Sequence, residues 1–204
     1  MQLYIQDINP NSAYGVWHIT ESNDELQKSF SENEIRHTSG FHPKRKAEFY
    51  STRLLLKALA EHMGVKYEGV FKDDHGKPYL ENSDYNISIS HAHPYVACIL
   101  HKNISCGIDI EIPRDQLKRI QYKFLSREEL DLIENDVDKL CQYWCAKETL
   151  YKIYGRKNLI FSENIKIFPR EDGSLLGQVV TGSYASSYLL KCTYLDGYYI
   201  VYNI

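Results

Sequence analysis

The chain has 204 residues and a formal net charge of −3, with 43% hydrophobic and 25% charged residues. This length suffices for one generous domain or for two small halves around a shared core, and the composition is ordinary for a soluble globular protein. With this slight acidic excess nothing indicates a general nucleic-acid binder, so any affinity for a polyanion has to come from local basic clusters.

Targeting signals and cysteine usage indicate the compartment. Residues 1–6 lack the basic region and apolar run of a signal peptide, and no stretch approaches the length of a membrane span. The five cysteines form an odd set with scattered spacing, which favours reduced thiols in a cytoplasmic protein. Cys141 and Cys145 lie one helical turn apart and could chelate a soft metal, but without a CxxC or a second Cys/His pair we interpret them as helix packing.

The first hundred residues predict strands around one long helix. Two short strands are expected over 2–8 and 13–20, joined by a turn. A helix is expected from Pro43, which suits a first helical turn, to Gly64, which suits a helix end. The elements expected next are a loop or hairpin turn at 73–78 and strands at roughly 86–90, 95–101 and 104–112.

The second part of the chain repeats this outline. Ser126 to Glu129 match a capping box and should open a helix, and a longer helix is expected over 137–154. Strand-like runs follow near 163–168, 174–180 and 187–203, the last broken by the hairpin turn Asp196-Gly197. The sequence therefore predicts an α+β fold with antiparallel sheets and helices packed on them. Its two halves, 1–102 and 103–204, join near Lys102 and Asn103.

A pair of carboxylates is the first sign of chemistry. Ile108 and Ile110 alternate with Asp109 and Glu111, so on a strand the isoleucines can enter a core while the carboxylates leave on the opposite face. Two adjacent carboxylates repel each other, and a bound divalent cation would remove that repulsion. The alternative is an ordinary solvated strand face.

The predicted helix over 137–154 carries a matching set of side chains. Trp144, Glu148 and Lys152 are spaced by four and therefore lie along one stripe. A third carboxylate and a lysine, offered to the Asp109 and Glu111 pair, indicate a site for a metal and a phosphate. The alternative is an amphipathic helix with an ordinary Glu–Lys pair.

Four motifs occur in order along the chain: His75-Gly76-Lys77-Pro78, Ser90-His91, Gly107 to Glu111, and Trp144 to Lys152. Together they resemble the surfactin-type 4′-phosphopantetheinyl transferases, whose pattern is a GKP turn, an SHS-like turn, a GxDxE strand and a WxxKExxxK helix. The resemblance implies a pseudo-dimer of two similar α/β halves with coenzyme A in the cleft between them. It also implies transfer of the phosphopantetheine arm to a serine of an acyl or peptidyl carrier protein, with release of 3′,5′-ADP.

The resemblance also implies roles for individual residues. Asp109, Glu111 and Glu148 would bind Mg²⁺, with Mn²⁺ as a second possibility, and Glu148 would act as general base for the serine hydroxyl. Lys152 would stabilise or protonate the leaving phosphate. Lys147 is expected to reach a phosphate or Glu111. The full set of expected coenzyme A contacts is Arg45, Arg53, Lys77, Ser90, His91, Lys147 and Lys152.

Several of these residues have structural alternatives. Lys77 before Pro78 is common turn chemistry, Arg53 could pair with Glu48 or Glu61, and His91 could be a structural hydrogen bonder. The chain also departs from the family pattern. Ser88 and Ala92 replace an expected asparagine and serine, and segment 155–159 lacks a second glycine.

Two other functions remain open at this point. A DxE pair with a later KE also suits a metal-dependent nuclease or phosphohydrolase, although the acidic balance speaks against nucleic acid as a partner. The second open function is a non-catalytic module that binds carrier proteins. The basic stretch 114–127 is the expected carrier-docking surface, with a solvated connecting segment as the alternative. We expect no membrane partner and a monomer, since one chain contains both halves.

Overall fold

The computed structural model describes residues 2–156 and 158–204 and has the predicted α+β fold. The strands are β1 (Gln2–Asn9), β2 (Ser12–His18), β3 (Val70–Lys72), β4 (Pro78–Leu80), β5 (Asn86–Ala92), β6 (Tyr95–His101), β7 (Ile108–Glu111), β8 (Ile165–Pro169), β9 (Leu175–Val180), β10 (Ala185–Leu195) and β11 (Tyr198–Asn203). The helices are α1 (Asn23–Leu26), α2 (Glu32–His37), α3 (Pro43–His62), α4 (Gln116–Phe124), α5 (Arg127–Ile133), α6 (Val137–Tyr154) and α7 (Phe161–Asn164).

The first sheet and α3 form one half of the molecule. Its strands run antiparallel in the order β1-β2-β6-β5-β4-β3. Helix α3 begins at Pro43 and is followed by Gly64 with a φ of +68°, a left-handed conformation that glycine adopts without strain. Buried α3 residues such as Leu55 and Leu59 pack against Ile87 and Leu100 of the sheet.

The second sheet and α6 form the other half. Its strands are also antiparallel, in the order β7-β11-β10-β9-β8. Leu140 and Leu150 of α6 join a core with Ile165 and Val179 of the sheet. As predicted, a capping box at Ser126 opens α5, and α6 ends before Gly155.

The free faces of the two sheets pack against each other in a third core. Ile108 and Ile110 of β7 lie there with Ile99 of β6, and the rings of Tyr14 and Tyr202 stack with centroids 4.4 Å apart. The layer order is therefore helix, sheet, sheet, helix. This arrangement confirms the expected fold of two halves, each an antiparallel sheet against a long helix.

Gly107 allows β7 to approach α6 closely. A Cβ atom at this position would overlap the carbonyl oxygen of Thr149 and lie 2.7 Å from Cγ1 of Ile153. Because glycine has no Cβ, the strand can lie directly under the last turns of the helix. This contact places the side chains that follow Gly107 beneath Glu148 and Lys152.

Some elements were missed or misplaced by the sequence-based prediction. Segment 114–127 contains the helix α4, with Leu117 and Phe124 buried, and the strand expected over 104–112 begins only at Ile108. The first sheet uses strands within 2–101 and the second uses strands within 108–203, while the join at residues 102 and 103 stays a prediction. Lys157, part of the segment without a second glycine, lies outside the described residues. No helix in the described part is long and apolar enough to cross a membrane.

A buried ion pair caps the edge strand β8. Nζ of Lys147 donates to Oε2 of Glu129 at 2.6 Å and to the carbonyl oxygen of Ile165 at 2.6 Å. Oε1 of Glu129 accepts from the backbone N–H of Ile167 at 2.9 Å. The pair thus satisfies backbone groups that an edge strand otherwise leaves open.

Replacing Lys147 by Met should lower the free energy of unfolding by about 3–5 kcal/mol, because the buried Glu129 would lose its counter-charge. Urea unfolding would measure this change. Lys166→Met, at an exposed lysine on β8, is the matched control and should alter stability by less than about 0.5 kcal/mol. Equal stabilities of the two variants would contradict a structural role for Lys147.

Candidate functional site

Asp109 lies at the centre of the candidate site, where β5, β7 and α6 meet. Its side chain is only 5% exposed. Oδ1 accepts hydrogen bonds from Oγ of Ser90 and from Nζ of Lys152, both at 2.7 Å. Oδ2 is buried and has no hydrogen-bond partner among the described residues. Removal of Asp109 would therefore take one acceptor away from both Ser90 and Lys152. Its burial contradicts the alternative of an ordinary solvated strand face.

Glu111 points to the same side of β7 and is held by two donors. Oε1 accepts from the indole Nε1 of Trp144 at 3.0 Å, and Oε2 accepts from Arg114 at 3.3 Å. Burial, followed by the nearby charge of Asp109, raises the pKa of Glu111 above its usual range. Trp144 therefore positions a carboxylate across the gap between α6 and β7, a role that its place on the helical stripe did not reveal.

Glu148 completes the acidic cluster from the side of α6. Burial is the main cause that raises its pKa to about 7, and the charge of Asp109 contributes, while Lys152 acts in the opposite direction. A carboxyl group with a pKa near neutrality can accept a proton at the pH of the cell. The structure thus brings the predicted carboxylates Asp109, Glu111 and Glu148 together with Lys152.

This donor set fits a divalent cation in chemical terms. Carboxylate oxygens are the ligands that Mg²⁺ prefers, and the buried Oδ2 of Asp109 lacks a partner. Burial is the main cause of the raised pKa values of Glu111 and Glu148, and the charge of Asp109 contributes, so a bound cation would stabilise the ionised form of both groups. No group of three His, Cys, Asp or Glu side chains in the described parts is already arranged as a metal-binding cluster, so the metal itself belongs to the proposal below.

A basic groove leads away from the acidic cluster along α3. Arg45, Arg53 and His91 line it. The guanidinium of Arg53 lies over the ring of Phe49, 3.3 Å from its centroid, and burial lowers the pKa of Arg53. Among the described residues Arg53 forms no ion pair, so the expected alternatives Glu48 and Glu61 do not engage it.

His91 connects this groove to the acidic cluster. Its imidazole, 57% exposed, lies 3.6 Å from Glu48. The same side chain also borders a groove that contains Lys152 and another that contains Glu111. Arg45, His91 and Lys152 therefore border connected surfaces in the cleft between the two halves, where the sequence predicted a coenzyme A site.

Two expected coenzyme contacts have other partners. Nζ of Lys77 donates to Oγ of Ser105 at 2.6 Å and to the carbonyl oxygen of Ile153 at 3.2 Å. Lys77 thus connects the hairpin of the first half to the end of α6, which favours a bridging role over a phosphate contact. Lys147 is fully buried beside Glu129, so its predicted contact with a phosphate or Glu111 is wrong. The physical reason is that Lys147 points toward β8, away from β7.

Comparisons with known proteins show which family the chain resembles. The chain matches the family model of the 4′-phosphopantetheinyl transferase N-terminal domain over residues 33–101. It matches the model of the 4′-phosphopantetheinyl transferase superfamily over residues 105–202.

A protein of Haemophilus influenzae named "Putative 4′-phosphopantetheinyl transferase" is 26% identical over 110 residues. That match covers 50% of this chain and 46% of the relative, so the chain spans about half the length of the curated relative it matches. The two family models, by contrast, cover most of the chain and both of its halves. The chain belongs to the 4′-phosphopantetheinyl transferase superfamily.

Proposed function

We propose that this protein transfers the 4′-phosphopantetheine arm of coenzyme A to a serine hydroxyl of an acyl or peptidyl carrier protein and releases 3′,5′-ADP, as the surfactin-type members do. The observation that carries the proposal is the position of the acidic cluster. Asp109, Glu111 and Glu148 meet Lys152 in the cleft between the halves, next to the basic groove. This combination suits a pyrophosphate that loses one phosphoryl group.

Each residue of the acidic cluster, and Lys152 beside it, has a proposed role in the transfer. Asp109, Glu111 and Glu148 would hold Mg²⁺ or Mn²⁺, which when bound neutralises the pyrophosphate. Glu148 accepts the proton of the serine hydroxyl as the new oxygen–phosphorus bond forms. The bond from that phosphorus to the bridging oxygen breaks, and the charge that develops on the leaving 3′,5′-ADP is stabilised by the ammonium of Lys152.

The basic groove is the proposed site of the 3′-phosphate of coenzyme A. Arg45 and Arg53 supply guanidinium groups, which form strong charge-assisted bonds to phosphate, and His91 lies at the junction with the acidic cluster. Lys152 lies at the opposite end of these connected surfaces. The coenzyme would thus extend along the cleft, with its reacting phosphate near Lys152.

The competing functions are less well supported. A nuclease needs a long basic surface for a polyanion, whereas the chain has a net charge of −3. A non-catalytic binding module has no need for three buried or half-buried carboxylates beside a lysine. We further propose a monomer, since one chain supplies both halves, and a cytoplasmic location, since its cysteines are free thiols.

The decisive test is mass spectrometry of an apo carrier protein incubated with coenzyme A, Mg²⁺ and this protein. We expect the carrier to gain one phosphopantetheine arm, and Glu148→Gln should reduce the rate by at least about 100-fold because the proton acceptor is lost. Parallel incubations with single-stranded and duplex nucleic acid test the nuclease. Cleavage of nucleic acid without carrier modification would overturn the proposal.

The site of the 3′-phosphate can be tested with dephospho-coenzyme A. Arg45→Ala should weaken coenzyme A binding by about 1.5–3 kcal/mol, because one charge-assisted contact is lost, and should leave dephospho-coenzyme A binding unchanged. Calorimetry at one salt concentration measures both. Lys57→Ala, an exposed lysine on the same helix, is the control and should change neither affinity. Equal losses for both ligands in Arg45→Ala would move the 3′-phosphate elsewhere.

Helix α4 offers a basic surface for the carrier protein. Leu117 and Phe124 face the core, while Lys118, Arg119 and Tyr122 are exposed. The proposed docking surface is therefore a basic helix face with one exposed aromatic ring. The neighbouring Arg114 contacts Glu111. A carrier with an acidic surface around its serine would thus be guided toward the acidic cluster.

Changing both Lys118 and Arg119 to Glu should raise the KM for an acidic carrier and leave coenzyme A affinity unchanged. The effect should shrink as salt rises, since such attraction is screened over a Debye length of about 10 Å at 0.1 M. A double change of Lys139 and Lys191 to Glu gives the same change in net charge on other surfaces and should leave the KM near wild type. Similar KM values for the two double variants at low salt would contradict docking on α4.

A further inference from the structure

Strand β7 lies at the edge of the second sheet, and β5 of the first sheet supplies hydrogen-bond acceptors to it. The backbone N–H of Ile108 donates to Oγ of Ser88 at 3.2 Å, and that of Ile110 donates to Oγ of Ser90 at 3.3 Å. The two serines alternate with Ile87 and Ile89, which pack in the core of the first half. The serine pair, Ser88 and Ser90, therefore joins the first half to the strand that carries Asp109 and Glu111.

The two serines differ in one respect. The hydroxyl of Ser90 also donates to Oδ1 of Asp109 at 2.7 Å, whereas among the described residues the hydroxyl of Ser88 has only the bond from Ile108. Ser90 is therefore connected to both the backbone of β7 and a carboxylate of the candidate site. Its hydroxyl hydrogen points to Asp109.

Ser90 and Lys152 donate to the same oxygen of Asp109. Oδ1 receives both Ser90 and Lys152, and Oδ2 remains buried without a partner. Two donors on one oxygen hold the carboxylate in a fixed orientation. Hydrogen bonds of this kind orient the residues that bind metal ions in proteins. Without Ser90, Lys152 would be the one remaining donor to Oδ1 of Asp109 among the described residues, and the orientation of the carboxylate would be less restricted.

We propose that Ser90 is a positioning residue: it orients Asp109 so that Oδ2 is the oxygen presented to the divalent cation. This inference rests on the proposed function and deepens it, because it assigns Ser90 to the metal ligand in place of the coenzyme A contact expected from the sequence. It also gives the junction of the two halves a part in cation binding. The site is complete only when β5 lies against β7.

The test compares Ser90→Ala with Ser88→Ala. Each variant removes the acceptor of one buried N–H of β7, so both should lower Tm, and Ser90→Ala should lower it further because the buried Asp109 also loses a donor. Only Ser90→Ala removes the bond to Asp109, so it alone should weaken Mg²⁺ binding, by about 10-fold or more. Calorimetric titration with MgCl₂, first alone and then with coenzyme A bound, measures the affinity without any transfer reaction. Ser90→Thr keeps the hydroxyl and should restore most of the affinity.

The same variants separate this inference from the proposed function. In the transfer assay, Ser90→Ala should lower kcat and leave the KM for coenzyme A near wild type, whereas loss of a pyrophosphate contact would raise that KM. Unchanged Mg²⁺ affinity in Ser90→Ala, or equal weakening in Ser88→Ala, would overturn the positioning role alone. If the wild-type protein binds no Mg²⁺ in either titration, the metal assignment fails and the positioning role fails with it.

Discussion

The buried carboxylate of Asp109 is the constraint on which the rest of the site depends. An ionised carboxylate is costly to remove from water unless counter-charges and hydrogen bonds compensate it. Here the compensation comes from two other elements, the ammonium of Lys152 on α6 and the hydroxyl of Ser90 on β5. Both can reach Asp109 only because Gly107 lets the strand lie against α6 and because the two sheets pack face to face.

This constraint explains why the proposed function needs both halves. The acidic residues and Lys152 belong to the second half, whereas Ser90, His91 and the arginines of the basic groove belong to the first. Neither half alone supplies both the donors that hold Asp109 and the groove that we propose for a phosphate. Packing between the sheets therefore contributes to stability and, at the same time, assembles the site.

The sequence predicted the parts of the site that depend on local periodicity. Alternation along residues 108–111 placed the isoleucines and the carboxylates on opposite faces of a strand, and the spacing of four placed Glu148 and Lys152 on one stripe. The long helices and the final hairpin followed from their turn and end signals. These features are set by neighbours within a few residues, so a single sequence contains them.

The parts that failed depend on partners distant in sequence. Lys147 is adjacent to Glu148, but successive residues of a helix point about 100° apart, so Lys147 faces β8 and the buried Glu129 instead of the cleft. The sequence alone does not distinguish a buried lysine from an accessible one, because the acidic partner of the buried lysine is distant in the chain. The bond from Lys77 to the end of α6 likewise joins residues 76 positions apart, so the sequence did not reveal it, and the contact of Lys77 with coenzyme A stays a prediction.

Two lysines of α6, Lys147 and Lys152, have different roles, because one stabilises the fold and the other lies at the candidate site. Lys147 is fully buried, and its ammonium donates to Glu129 and to two carbonyl oxygens, so it cannot contact a substrate. Lys152 is 24% exposed and shares its carboxylate with Ser90. A cation bound to Oδ2 would take up part of the negative charge of Asp109 and weaken the attraction on Lys152, because the electrostatic effect of a divalent ion exceeds that of an ammonium. The ammonium would then be available to a phosphate oxygen in the cleft, so cation binding and phosphate binding at this site would reinforce each other.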